Sequence, residues 1–169
     1  MFFHMKTQIL VHSQVQKIIK RMAYQIYEKH FDQKELLFAA VVGQGVDIAK
    51  LVQAELQAIS KIKISLVEVL LRKDAPVYAA ATAAVSAKTC KGKSVIIFDD
   101  VLNTGKTLIY AMHPFLQFEI KSIQVAVLVD RNHHSFPVAA DYIGLSLQTT
   151  LQDHVTVSFK SNKFSVYLG

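Results

Sequence analysis

Cysteine is almost missing from this chain: Cys90 stands alone among 169 residues. No disulfide framework can form within the chain. Long apolar runs are missing as well. The longest, such as residues 36–42, fall far short of the ~20 residues that a membrane helix needs. The start, Met1-Phe2-Phe3-His4-Met5-Lys6, has no basic segment leading into a long apolar one, so it makes a poor signal peptide. Metal-ligand spacing of Cys, His, Asp and Glu is not evident, and the adjacent His133 and His134 read as solvated or structural. Repeats and low-complexity tracts are absent. These gaps lead to the expectation of a cytoplasmic protein with no membrane partner.

What is present suffices for one core. Half the residues are apolar, 51%, and a chain of this length buries one good core. A single domain over 1–169 is expected. The formal charge of +6 suits phosphorylated ligands or nucleic acid, or is simply a solvated basic surface. Its lysines, such as Lys17, Lys20, Lys61, Lys63, Lys88, Lys91 and Lys93, are scattered and form no dense block.

The chain is organised around residues 94–107. Val95-Ile96-Ile97-Phe98 reads as a buried parallel strand, followed directly by Asp99 and Asp100. A short loop of small and hydroxyl residues then opens a helix with Leu108, Ile109, Met112 and Leu116 on one face. Backbone N–H groups of such a loop, together with the helix start, form an anion site. Gly105 permits close approach of a phosphate, Thr104 and Thr107 add hydroxyls, and Lys106 adds charge. Two carboxylates would repel a phosphate. They suit sugar hydroxyls, or a metal held near them. A ribose carrying a 5′-phosphate satisfies both halves. Gly-Lys-Thr also ends the nucleotide-binding P-loop, but that pattern requires glycine where Asp100 stands.

Residues 96–107 resemble the 5-phosphoribosyl-1-diphosphate (PRPP) signature of type I phosphoribosyltransferases. A second block starts at Val127-Leu128-Val129-Asp130-Arg131-Asn132-His133 and runs through Phe136-Pro137 to Ala140-Asp141-Tyr142-Ile143-Gly144. It is similar to one branch, the pyrimidine-operon attenuator/uracil phosphoribosyltransferases. The resemblance runs from about Ser13 to Phe159. It implies that Asn103, Thr104, Gly105, Lys106 and Thr107 hold the 5′-phosphate, and that Asp99 and Asp100 meet the ribose as the catalytic pair. It also implies Gly43, Gln44, Gly45 and Arg72 at the diphosphate, a base against Asp130 and Arg131, and magnesium bound largely through PRPP and water. Arg72 is otherwise a surface arginine at a strand end, and Asp130 with Arg131 a structural ion pair or turn. A homodimer is the family's common state.

The remaining pattern fits an α/β fold, a mostly parallel open sheet flanked by helices, with a small flap or hood. Ile9–Val11 is a short strand or an extended entry. Ser13-x-x-Gln16 reads as a capping box opening a helix to about Lys29. Strands are expected over 36–42, 62–71, 122–129, 142–147 and 155–159, with 164–168 as an edge. A helix is expected over 46–59 and a flap over 76–93, whose residues 78–85 form a hairpin arm or a short helix. Pro114 predicts a kink or an early end of its helix.

Departures from the branch pattern bear on activity. Val42, Gly43 and Gln44 stand where the branch has lysine, threonine and arginine. Each missing cation costs about 10–100-fold in rate, from about 1.5–3 kcal/mol per charged hydrogen bond. The implied reaction joins a nucleobase, uracil by default, to PRPP with loss of pyrophosphate. A non-catalytic PRPP or nucleoside-monophosphate sensor is a second reading, and an RNA-binding operon regulator a third. The third has least support. Branch basic positions are here His134, Ala139 and Leu145, and two RNA-facing helix positions are Lys20 and Tyr24. That pattern argues against RNA as a partner.

Overall fold

Every residue from Leu36 to Val41 is buried, so this strand must be covered on both faces. In the computed structural model, which describes residues 6–72 and 81–169, it is an interior strand of a six-stranded sheet. In chain order the elements are β1 (Thr7–Leu10), α1 (His12–His30), β2 (Glu35–Val41), α2 (Gln44–Ile59), β3 (Lys63–Leu71) and β4 (Ala81–Ala83). There follow α3 (Ala87–Cys90), β5 (Ser94–Leu102), α4 (Lys106–Leu116), β6 (Ser122–Asp130), β7 (Tyr142–Ser146), β8 (Val155–Lys160) and β9 (Lys163–Leu168). The main sheet runs β4-β3-β2-β5-β6-β7. It is parallel from β3 to β7, and only β4 is antiparallel.

Alternate residues of each strand enter different cores. Leu36, Phe38, Ala40, Ile96 and Phe98 pack with α1 and α2 on one face. Leu37, Ala39, Val41, Val95 and Ile97 pack with α4 on the other. The α1 face is Val15, Ile19, Met22 and Ile26, the three-and-four spacing of a half-buried helix. A second sheet, β1-β9-β8, is antiparallel and adds Val157, Phe164 and Val166 to the α1/α2 core.

Several expectations are corrected. The 164–168 segment is the middle strand of that second sheet, not an edge, because β1 returns from the far end of the chain to pair with it. Helix α1 starts before Ser13. The backbone N–H of Val11 donates to the Gln14 side chain at 2.9 Å, and His12 Nδ1 accepts the Phe164 N–H at 3.1 Å, so contact with β9 sets the start. The buried face of α4 is Leu108, Ala111, Pro114 and Phe115, whereas Leu116 is 61% exposed. That helix passes Pro114 and stops two residues later. Strand β5 runs on through both aspartates to Leu102, because β6 stays alongside as far as Asp130. Residues 76–80 of the expected flap lie outside the described residues. The part described next, β4, pairs antiparallel with β3 as a hairpin arm does. No helix among the described residues is long and apolar enough to cross a membrane.

Candidate active site

Parallel strands end on one edge, and the turns that follow β2, β3, β5 and β6 share it. Such an edge is where open α/β sheets bind ligands. Asn103, Thr104, Gly105, Lys106 and Thr107 follow β5, Gly43 and Gln44 follow β2, Arg72 follows β3, and Asp130 with Arg131 close β6. The fold therefore brings all the predicted site residues to one side of the sheet.

The loop after β5 is braced from behind. The N–H groups of Ser135 and Phe136 both donate to the Thr104 carbonyl, at 2.9 and 3.0 Å. Gly105 caps α4 with φ +87°, and a Cβ there would sit 3.3 Å from Val138 Cβ. The positive φ favours glycine, and a side chain would press on Val138. Lys106 N–H donates to Thr104 Oγ1 at 3.3 Å. The loop lines a cavity of about 40 Å³, above the ~10–15 Å³ that one water needs. First-turn N–H groups of a helix lack internal acceptors, so this cavity offers donors to an anion.

The two aspartates are not equivalent. Asp99 is 8% exposed, and its Oδ1 accepts the Asp100 N–H at 2.9 Å. Burial pushes its carboxyl well above the usual range, and the Asp100 charge adds to the effect. Asp100 is only half-buried, and its Oδ1 accepts the Val101 N–H at 2.8 Å. An acid whose folded pKa exceeds its unfolded one makes the folded state the better proton binder. Stability then falls as pH rises from ~3.9, the unfolded value, through the folded one. Asp99→Asn should flatten that fall. Urea unfolding at pH 5 and pH 8 should show the variant gaining on the parent as pH rises. Parallel pH curves for the two proteins would contradict this.

The turn after β2 is built on backbone rather than charge. Gly43 has φ +117° and ψ −144°, with nothing within 4 Å of a Cβ placed there. That conformation is essentially confined to glycine. Val42 is 48% exposed, and its N–H donates to the Val69 carbonyl at 3.1 Å. Gly45 carries a different requirement. A Cβ there would lie 2.9 Å from the Phe98 carbonyl oxygen and 3.3 Å from Asp99 Cα. This close approach seats the start of α2 beside the acidic pair. Gly45→Ala gains about 0.5–1 kcal/mol of helix propensity but forces overpacking worth about 1–3 kcal/mol. The clash prevails, so urea unfolding should show net destabilisation.

Asp130 and Arg131 do not pair with each other. Asp130 Oδ1 accepts the Asn132 N–H at 2.8 Å and lies 2.9 Å from His134 Nε2. Arg131 is 4% exposed. Its Nε donates to Thr149 Oγ1 at 3.1 Å and its Nη1 to Asn103 Oδ1 at 3.2 Å, while Nη2 donates to the carbonyls of Thr150 and Asp153. One buried guanidinium thus ties the loop after β5 to the segment before β8. Thr149, Thr150 and Asp153 carry no motif, so sequence reading misses them.

A carboxylate pair at a strand end, beside a glycine-capped anion loop, is the arrangement the PRPP signature requires. The profile of the phosphoribosyl transferase domain matches residues 5–162. The chain belongs to the phosphoribosyltransferase family. Among curated relatives, the bifunctional protein PyrR of Haemophilus ducreyi is 33% identical over 164 residues, covering 90% of this chain and 89% of that one. The protein of the same name from Clostridium acetobutylicum is 30% identical, covering 93% and 92%. Among solved structures, the hypoxanthine phosphoribosyltransferase of Trypanosoma cruzi superposes with a TM-score of 0.75 at 15% identity over 95% of both chains. That of Staphylococcus aureus gives 0.70 at 17% identity, covering 86% and 80%. These structural neighbours establish the phosphoribosyltransferase fold for this family member.

Proposed function

We propose that the protein transfers the phosphoribosyl group of PRPP to a nucleobase, with uracil the first base to test, and releases pyrophosphate. The observation that carries this is the acidic pair near the end of β5 beside the Gly105-capped loop. The 5′-phosphate is held by Asn103 to Thr107 and the ribose hydroxyls by Asp99 and Asp100. Displacement at the anomeric carbon passes through a cation-like sugar, and nearby negative charge lowers that barrier. The base lies against the Asp130–Arg131 turn, where Arg131 fixes the loop and Asp130 is held by Asn132 and His134.

Among the described residues no group of three or more His, Cys, Asp or Glu could hold a metal. Asp99 and Asp100 fit magnesium of the kind that keeps its waters and reaches the protein through one or two carboxylates. When bound, magnesium neutralises the diphosphate. A homodimer in the cytoplasm completes this reading.

The test is a pyrophosphate-release screen of PRPP against uracil, hypoxanthine, guanine, xanthine, adenine and orotate. Release with one base is expected. The cation-free Val42-Gly43-Gln44 turn favours a second reading, a PRPP or nucleotide sensor. Binding without release from any base would select it. On the enzyme reading, Gln44→Arg restores a charged hydrogen bond and should raise kcat/KM about tenfold or more, read in the same assay.

A further inference from the structure

A histidine held for structure uses its ring to join elements. His30 is 3% exposed and has both ring nitrogens taken, Nε2 by Gln124 and Nδ1 by Gln33, each at 2.7 Å. His133 Nε2 is bound to the Thr149 carbonyl. His134 differs. Its Nε2 lies 2.9 Å from Asp130 Oδ1, and its side chain is 27% exposed while that of Asp130 is only 4% exposed. A carboxylate only accepts, so Nε2 carries the proton of the neutral ring and Nδ1 keeps its lone pair. That nitrogen has no partner among the described residues. A buried carboxylate orienting a ring with one nitrogen open is how proton acceptors are built.

The turn that carries His134 is held from several sides. The Asn132 N–H closes on Asp130 Oδ1 at 2.8 Å, and Asn132 takes φ +56°, the left-handed conformation that asparagine tolerates. Its Nδ2 donates to Ser146 Oγ on β7 at 2.8 Å and to the Leu147 carbonyl at 3.2 Å. On the other side, Ser135 and Phe136 are tied to the Thr104 carbonyl. Asp130 itself pairs across the sheet with Leu102, two residues past Asp100. His134 therefore stands between the end of β6 and the loop after β5. The charged or titratable groups of its own turn are Asp130, Arg131 and His133. Strand β5 and its loop bring Asp99, Asp100 and Lys106, and the segment before β8 brings Asp153 and His154. Arg131 and Lys106 are donors only.

We propose that His134 takes the proton of the attacking nucleobase, with Asp130 as its positioning residue; this rests on the phosphoribosyl-transfer reading. The ring nitrogen that attacks carries a hydrogen. As its bond to the anomeric carbon forms, the carbon–oxygen bond to the diphosphate breaks, and that electron pair leaves with pyrophosphate. The hydrogen leaves the nitrogen as a proton and goes to His134 Nδ1. The imidazolium so formed faces the Asp130 carboxylate, which stabilises it. Water takes the proton afterwards, and the neutral ring is restored.

The experiment is a pH–rate profile of pyrophosphate release, with the nucleobase that the release screen selects, for the parent, His134→Gln and Asp130→Asn. The parent's kcat should fall on the acid side as His134 becomes protonated. His134→Gln should lower kcat about 10²–10⁴-fold, the usual contribution of a positioned proton acceptor. It should also lose the acid limb, and added imidazole should restore part of the rate. Asp130→Asn removes the charge that favours the imidazolium, so it should keep the limb and move it to lower pH. Nitrogen NMR of the parent, which needs no variant, should find the neutral His134 ring protonated on Nε2. Release from no nucleobase would overturn the transfer reading and this one with it. Release by His134→Gln at the parental rate and with the parental profile would overturn the role of His134 alone. So would a fall in rate and thermal midpoint with the acid limb intact, or an Nδ1-protonated ring.

Discussion

Asp100→Asn should lower pyrophosphate release by about 10²–10³-fold, the usual cost of removing one group aimed at developing charge. The fold should be undisturbed. Asp100 is half-buried; its Oδ1 accepts the Val101 N–H, and its carboxylate faces that of Asp99. The amide oxygen of asparagine still accepts that bond. On the proposed reading the charge that faces the ribose is lost, so the deficit belongs in kcat; repulsion on Asp99 is relieved as well, and the thermal midpoint stays near the parent's. Single-turnover measurement with saturating PRPP reads this directly. Parental turnover in the variant would mean that Asp100 does not act on the reacting sugar. Asp99→Asn has the contrasting signature, a change in stability with pH, because Asp99 is the buried member of the pair.

Arg131→Ala should cost about 3 kcal/mol. Hydrogen bonds to a charged group are worth about 1.5–3 kcal/mol, but the four acceptors of Arg131 belong to half-buried or exposed residues that water can serve after truncation. For a domain of this length that lowers the midpoint by about 6–12 °C. Function should suffer as well, since Asn103 loses the partner that holds it in the loop. Phosphate affinity should fall alongside stability. Arg131→Lys keeps the charge but cannot reach Thr149, Asn103 and two carbonyls at once, so it should recover only part of both losses. Calorimetry with titrated PRPP measures the two effects in one sample. An alanine variant as stable as the parent would show that the segment before β8 is held by other contacts.

The candidate site was legible because its residues are local. Asp99, Asp100 and the 103–107 loop are consecutive, and a strand–turn–helix unit places consecutive residues around one point. Gly105 was legible as a point of close approach; its positive φ and that of Gly43 come from the structure. The reason for Gly45 was not legible, since the obstacle is the Phe98 carbonyl, 53 positions away. The face of α4 was misread because periodicity marks two neighbouring stripes, and only packing on the sheet selects Ala111 and Phe115 over Leu116.

By themselves the residues determined the alternation of strands and helices, the parallel main sheet and the chemistry of its β5 loop, because apolar period, turn glycines and adjacent acids act over a few positions. Tertiary structure alone decided three things. It set β9 between β1 and β8, committed Arg131 to a strap between two loops, and pinned Asn132 to Ser146 on β7. Each depends on strand order and register, which long-range pairing sets and no local pattern encodes.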